Sequence, residues 1–405
     1  MAIIPFDIVS NLSLAFIYTG MLIMLTIGLN MIYAVMKFSN FAHAEWVTLG
    51  MFSSWWFLQI LSFNFPFDSE SWNLDILGFS FPVDHIINNL FIQALFSFVI
   101  VGLLGVVSEF LIFGRLKRIK ASPRSLTVAS IGIGLIVRNL LSMFFGDFPK
   151  AKTVDCVTCT DSTTLPSWLD LRGIPIIKDI FPGISNFLPN FRESTIHIPF
   201  VRDPSVGTSL FPDLFPILGS QEILITGFEL FIVLMSIIMV LAVDYMFKST
   251  RFGVAMRATA DSTELAQVSG INTKRIIYYT WFLAAGLTGF GAAFVRANQA
   301  RFSTYGGFWL LLPIFAVVIL GGVGSFRGGI IAALIIAFTR QITNIVFTQF
   351  QVTGGFEDFL EQLTGFTITF SPNYMDGIAF LVLILVLLIR PQGIYGSVES
   401  TRERV

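Results

Sequence analysis

Leu12-Ser-Leu-Ala-Phe-Ile-Tyr-Thr-Gly-Met-Leu-Ile-Met-Leu-Thr-Ile-Gly-Leu-Asn-Met-Ile-Tyr-Ala-Val35 runs without a charged side chain for longer than the ~20 residues a helix needs to cross a bilayer. Asp7 precedes it and no Lys or Arg lies ahead of it. A secretory signal needs a positive flank and a small-residue cleavage site, so this stretch reads as a retained first span. Stretches of the same character recur at 45–64, 87–113, 125–145, 222–247, 278–296, 308–323, 328–347 and 376–390. Those at 308–323 and 376–390 are short, and Gly321, Gly322, Gly324, Gly328 and Gly329 surround the break before the eighth stretch. The seventh and eighth are therefore either two crossings or a re-entrant excursion and a helix. The expected fold is all-α: a polytopic transmembrane helix bundle of about 8–9 crossings, one membrane domain over residues 1–405.

The composition points the same way. Hydrophobic residues make up 54% of the chain and charged residues 13%, with a mean hydropathy of +0.77, more apolar surface than a soluble core can absorb. The 44 Phe residues suit helices whose outer faces touch lipid. A net charge of -1, with basic residues in short clusters, leaves no positive face for nucleic acid.

The loops orient the bundle. Arg115, Lys117, Arg118, Lys120 and Arg124 lie between the third and fourth stretches, and Lys248, Arg251, Arg257, Lys274 and Arg275 in or beside the loop 248–277. The positive-inside rule expects both in the cytoplasm. Segment 66–85 carries Asp68, Glu70, Asp75 and Asp84 without Lys or Arg, which suits the outside. Counting crossings then puts the N-terminus outside and the tail with Arg390, Arg402 and Arg404 in the cytoplasm of a cell-membrane protein. The polar insertion 146–221 is expected to be an extracytoplasmic loop, either a locally packed embellishment or a docking surface, and 348–374 a smaller element on the same side. Cys156 and Cys159, in Cys-Val-Thr-Cys, fit a tight disulfide if that loop is extracytoplasmic, or half a metal site with no second pair to complete it.

No enzyme constellation stands out. His43, His85 and His197 are scattered, and no Walker-type Gly-x-x-x-x-Gly-Lys-Ser/Thr segment is present, so ATP-driven transport would need hydrolysis on another polypeptide. Asn40, His43 and Glu45 are bunched where the second helix begins. They read either as a cap for its free N–H groups or as a substrate or gate contact. Arg340, with Gln341, interrupts the eighth stretch, where a guanidinium should face a cavity, reach a carboxylate or snorkel to the surface. Gly286, Gly289, Gly291, Ala292 and Ala293 suit close helix contact without any ligand. Between the fifth and sixth stretches a short amphipathic helix is expected from Ala260 or Asp261, with Leu265 and Val268 on one face and a stop at Gly270; either the bundle, lipid or a partner covers that face. An ion-coupled transporter would want a carboxylate relay, for which Glu109, Glu229 and Asp244 are the available groups, none of them central.

Four segments carry a resemblance. Gly28-Leu-Asn-Met-Ile-Tyr-Ala-Val-Met-Lys-Phe-Ser-Asn-Phe-Ala-His-Ala-Glu45 is similar to a glycine-led span running into Asn-Phe-Ala-His-Gly-Glu, with Ala44 in place of the glycine. Gly253 to Asn272 contains Glu264-Leu-Ala-Gln-Val-Ser-Gly270, close to the importer pattern Glu-Ala-Ala-x-x-x-Gly. Val318-Ile-Leu-Gly-Gly-Val-Gly-Ser-Phe-Arg-Gly-Gly329 and Leu388-Ile-Arg-Pro-Gln-Gly-Ile-Tyr-Gly396 follow in order. Together they resemble the permease subunits of ABC importers for branched-chain amino acids, a family that also takes in urea and short-chain amide permeases.

The resemblance implies a half-transporter that binds no cofactor itself, with a related or identical second permease subunit. Two ABC ATPase subunits would carry ATP and Mg, and an extracytoplasmic binding protein would deliver substrate. It assigns Arg257, Ala260, Glu264, Ala266 and Gly270 to ATPase coupling. It gives Asn40, His43 and Glu45 to the path or gate, to which the depth of Arg340 and Gln341 in the eighth stretch adds those two, and Gly321, Gly322, Gly324 and Arg327 to a cytoplasmic turn.

Overall fold

The structure, a computed structural model, describes residues 8–64, 73–76, 79–82, 84–146, 150–151, 195–198, 223–299, 301–353, 375–390 and 392–395. Cys156, Cys159, the charged tail and most of the 146–221 insertion lie outside these residues.

Backbone polar groups in lipid must be satisfied within their own segment, so each apolar stretch folds as a helix. In chain order these are α1 (Ile8–Met36), α2 (His43–Asn64), α3 (Asp84–Ser108), α4 (Gly114–Arg118), α5 (Pro123–Phe145), α6 (Gly227–Ser249), α7 (Arg251–Asp261) and α8 (Thr263–Val268). They are followed by α9 (Thr273–Asn298), α10 (Gly306–Gly321), α11 (Phe326–Thr353) and α12 (Met375–Ile389). A π-helical turn, Glu109–Phe113, carries α3 into α4. Among the described residues 6 helical stretches have the length and hydropathy of a full crossing: Ser13–Met36, Leu90–Arg118, Pro123–Phe145, Phe231–Ser249, Thr273–Asn298 and Phe326–Phe347. Gly306–Gly321 and Asp376–Ile389 are apolar but shorter.

The sequence analysis assigned no strands and placed residues 223–226 in the stretch 222–247 expected as a span; these four residues instead form a strand, β5, and the helix starts at Gly227. The structure holds three antiparallel ladders: β1 (Asn73–Ile76) with β2 (Phe79–Pro82), β3 (Lys150–Ala151) with β6 (Arg301–Phe302), and β4 (Thr195–Ile198) with β5 (Ile223–Thr226). All join helices at one end of the bundle. The turns with α4, α7 and α8 occupy the other end.

α9 packs most extensively on α3 and then on α1 and α2. Its small residues explain this, because helices in lipid gain little from burying apolar area against each other and rely on close backbone approach. A Cβ on Gly289 would lie 2.7 Å from the Ser97 carbonyl, one on Gly291 2.8 Å from Met24 Cβ, and one on Gly286 2.8 Å from the Phe98 ring. Ser97 Oγ sits 2.7 Å from the Gly289 carbonyl and 3.0 Å from that of Gly50, so one hydroxyl links α3, α9 and α2. Toward the turn end, Trp281 of α9 stacks on Phe113 with ring centroids 4.9 Å apart and meets Trp46 of α2 edge-on at 5.5 Å. α1 runs through the middle, 89% of its span buried, whereas α5, α6 and α11 bury only 28% of theirs.

Candidate functional site

Lys37, with φ +56°, ends α1, and the chain turns back into the bundle as non-helical backbone. Phe38, Asn40 and Ala42 in this return are buried. Irregular backbone is tolerated at depth only inside protein, and two of its donors are met by side chains: Ser130 Oγ of α5 accepts from the Phe41 N–H at 2.9 Å, and Asn40 Oδ1 from the Ala42 N–H at 3.2 Å. α2 therefore starts opposite the middle of α1. His43 Nε2 lies 2.9 Å from the Leu25 carbonyl and 3.3 Å from Thr288 Oγ1. Leu25 is about three turns, or ~16 Å, inside the end of α1. Because a carbonyl only accepts, Nε2 carries the proton. Asn40 bonds a backbone N–H as a cap would, whereas His43 bonds a carbonyl and so pins α2 to α1 and α9.

Glu45 is 2% exposed and meets a partner that the sequence reading overlooked. Arg138, mid-way along α5, places Nε 2.9 Å from Glu45 Oε1, with Nη2 on the same oxygen, while Thr48 Oγ1 lies 3.3 Å from Oε2. The guanidinium also sits 4.7 Å from the Phe308 ring centroid and 5.4 Å from that of Tyr305, so α2, α5 and α10 meet at one buried ion pair. The signal was available: a lone arginine inside an apolar stretch needs an acidic or aromatic neighbour. Small residues let the helices close on the pair. A Cβ on Gly134 would stand 3.3 Å from Glu45 Cγ, and one on Gly307 would collide with the Ala44 carbonyl, while the Gly307 N–H donates to Thr48 Oγ1 at 3.0 Å.

Arg340 has both of the surroundings expected for a guanidinium at that depth. Its Nε lies 2.8 Å from Asp376 Oδ1, it covers the Tyr18 ring at 4.1 Å, and it lines a cavity of about 430 Å³. The cavity is bounded by Tyr18 of α1, Arg301, Trp309 and Pro313 of α10, Arg340 of α11 and Asp376 of α12. Asp376 stands in the first turn of α12, where the helix dipole favours an anion. Gln341 is half-buried and does not line the cavity. The first turn of α10 separates the two polar centres, since Tyr305 and Phe308 face Arg138 while Gly306 and Trp309 face the cavity. The structure thus groups Asn40, His43 and Glu45 and keeps Arg340 apart from them.

At the opposite end, Gly322 and Gly324 take φ +94° and +81° to turn α10 into α11. Arg327 is exposed beside them. The two last resemblance segments meet here: Ile394 N–H donates to the Leu320 carbonyl at 2.8 Å and Tyr395 N–H to that of Gly321 at 3.1 Å. In the 248–277 loop, Ala260 and Asp261 close α7 rather than opening the next helix. Ser262 is the cap of α8, its Oγ accepting from the Leu265 N–H at 3.2 Å, because the periodic run that begins at Arg251 continues through Asp261. Leu265 and Val268 are 66% and 87% exposed, Arg257 and Glu264 are exposed, and Ala266 turns inward. Gly270, at φ +83°, reverses the chain into α9, a conformation any Cβ resists. Of the relay carboxylates, Glu109 pairs with Lys117 at 3.0 Å and Asp244 with Lys248 at 2.6 Å. Among the described residues no group of three His, Cys, Asp or Glu is arranged to hold a metal.

The family described as branched-chain amino acid transport system / permease component matches residues 11–387. The chain is 28% identical over 231 residues to the high-affinity branched-chain amino acid transport system permease protein LivH of Salmonella typhimurium, and 27% to LivH of Escherichia coli; each match covers 56% of this chain and 65% of the relative. BraD of Pseudomonas aeruginosa, a permease protein of the same description, is 26% identical over 231 residues, 56% of this chain and 66% of BraD. The chain thus spans just under two thirds of the length of these relatives. No solved structure matches it.

Proposed function

Because the chain belongs to the family of branched-chain amino acid transport permease components, we propose that this multi-pass membrane protein is one pore-forming half of an ATP-driven importer for branched-chain or other hydrophobic amino acids. Two ATPase subunits dock at the turn end, which lies in the cytoplasm, with the N-terminus outside and the C-terminal tail inside. A second permease subunit completes the path, and an extracytoplasmic binding protein delivers substrate to the end that carries the β-ladders. Urea or a short amide is the alternative cargo within the same family.

The observation that carries the reading is α8. Leu265 and Val268 stand clear of the bundle on a helix fixed at its start by the Ser262 cap and at its end by the left-handed Gly270. An apolar pair held out rigidly at a cytoplasmic surface is suited to a groove on a partner. Motion imposed on α8 passes through Gly270 and the 2.9 Å bond from Gln267 Nε2 to Thr273 Oγ1 into α9, the helix on which α1, α2 and α3 pack. ATP-driven closure of the partner would thereby reorient the pore halves between outward and inward access.

Mass spectrometry of material co-purified with the tagged chain after gentle extraction tests this. An ATPase in near-equal amount, with a second permease, is the expected result. Repeated recovery of this chain alone, from an extraction that preserves other membrane complexes, would overturn the assignment.

A further inference from the structure

The cavity beside Arg340 is built unlike the lipid-facing surfaces around it. Among the described residues its lining includes two arginines, Arg301 and Arg340, and one acidic residue, Asp376, which pairs with Arg340. The pair is reachable: the Arg340 and Asp376 side chains are 23% and 42% exposed. Tyr18 lies flat beneath Arg340 at 4.1 Å and holds the guanidinium in place. On the α10 side, Pro313 has no N–H, so the carbonyl of Trp309 lacks its helical donor, and both residues line the cavity. Phe302, Leu310 and Pro313 supply an apolar wall. At about 430 Å³ the space falls within the ~300–1,000 Å³ typical of small-molecule pockets, with the usual mixture of apolar wall and a few fixed polar groups.

Resting on the amino-acid transport reading, we propose that this cavity is a binding site for a zwitterionic α-amino acid with an apolar side chain. Its carboxylate is taken by Arg340 and Arg301, and its ammonium by Asp376 with the Trp309 carbonyl, which Pro313 leaves without its i+4 donor. The charge count favours this ligand. A zwitterion brings one anion for the arginines and one cation for the aspartate, so among the described lining residues no charge is left unpaired when the Arg340–Asp376 bridge opens to admit it. A neutral amide offers no anion, and a simple carboxylate leaves Asp376 without a cation. A guanidinium binds a carboxylate through two parallel N–H bonds, which also sets the ligand's orientation. The wall of Phe302, Leu310 and Pro313 then receives the side chain.

The test is equilibrium binding of radiolabelled L-leucine to the full chain in phosphatidylcholine nanodiscs, competed by leucinamide, which lacks the carboxylate, and by 4-methylpentanoate, which lacks the ammonium. Saturable L-leucine binding is expected. Arg340→Gln should weaken L-leucine and 4-methylpentanoate about tenfold or more and leave leucinamide nearly unchanged, in keeping with the loss of a charge-assisted bond. Asp376→Asn should weaken L-leucine and leucinamide by a similar factor and leave 4-methylpentanoate unchanged or tighter. Misfolding cannot produce these opposite selectivities. Equal losses for all three ligands, or unchanged L-leucine binding in both variants, would overturn the site. So would displacement of bound phosphatidylglycerol, rather than of leucine, by the same substitutions, which marks a lipid headgroup pocket. Uptake in cells separates the two levels: a chain required for uptake of apolar amino acids but without saturable binding loses only the site, whereas a chain dispensable for that uptake loses the transport reading.

Discussion

Arg138→Met is the most informative single change in the buried ion pair. The substitution keeps an apolar stem of similar length but removes every N–H that faces Glu45. The carboxylate, 2% exposed, would then keep, among the described residues, the Thr48 hydroxyl at 3.3 Å as its polar partner. Breaking a buried pair from one side costs about 3–5 kcal/mol, because the remaining charge is neither hydrated nor compensated. The loss of the guanidinium from between Phe308 and Tyr305 adds about 0.5–2 kcal/mol. Neutralising both ends, with Glu45→Gln added to Arg138→Met, should restore most of the first figure, since the amide keeps its bond to Thr48 and no charge is stranded. The assay is SDS-induced unfolding of the purified protein in mixed micelles, followed by tryptophan fluorescence, on the wild type, both single variants and the double. A coupling energy of roughly 2–3 kcal/mol is expected across the cycle. Strictly additive effects, or an Arg138→Met loss below about 1 kcal/mol, would refute the reasoning that this pair is what joins α2, α5 and α10.

Gly307→Ala should destabilise by about 1–3 kcal/mol in the same assay, because the new methyl meets the Ala44 carbonyl rather than a flexible side chain; a neutral outcome would mean that α2 and α10 are free to separate. Gly270→Val places a β-branched residue at φ +83°, a strain of about 1–3 kcal/mol confined to the turn. Membrane insertion should be intact and substrate-stimulated ATPase activity of the assembled transporter reduced, and normal activity would remove Gly270 from coupling. Leu265→Asp, at a position 66% exposed, should change unfolding by less than about 0.5 kcal/mol while abolishing ATPase co-purification. Retained co-purification would shift the docking surface away from α8.

The helices were legible because lipid imposes one rule on every span, and long uncharged stretches such as Leu12–Val35 satisfy it only as helices. The small-residue face of α9 was legible for the same reason, as Gly286, Gly289 and Gly291 have little other use in a membrane helix. The depth of the Asn40, His43 and Glu45 cluster was not. It depends on Leu25, Ser130 and Thr288, residues far along the chain whose proximity no local pattern encodes. Arg138 was overlooked, although a lone arginine inside the apolar stretch 125–145 calls for a partner; that the partner is Glu45, 93 positions away, no local pattern encodes. The start of α8 was misplaced by two or three residues since Asp261 and Ser262 are both good caps, and only the continuation of α7 through Asp261 selects the serine. The union of the Gly321–Gly324 turn with residues 394 and 395 joins segments some seventy residues apart, and each half reads on its own as an unremarkable turn.

That union bears on how the protein is made. The carbonyls of Leu320 and Gly321 find donors on Ile394 and Tyr395, which leave the ribosome only after α11 and α12 have been synthesised. Until then the turn has its own bonds, such as Ser325 N–H to the Gly322 carbonyl, but not these two donors from beyond α12. Residues 394 and 395 act as a latch across the α10–α11 turn, so this end of the membrane domain is fastened by chain that lies beyond both later helices.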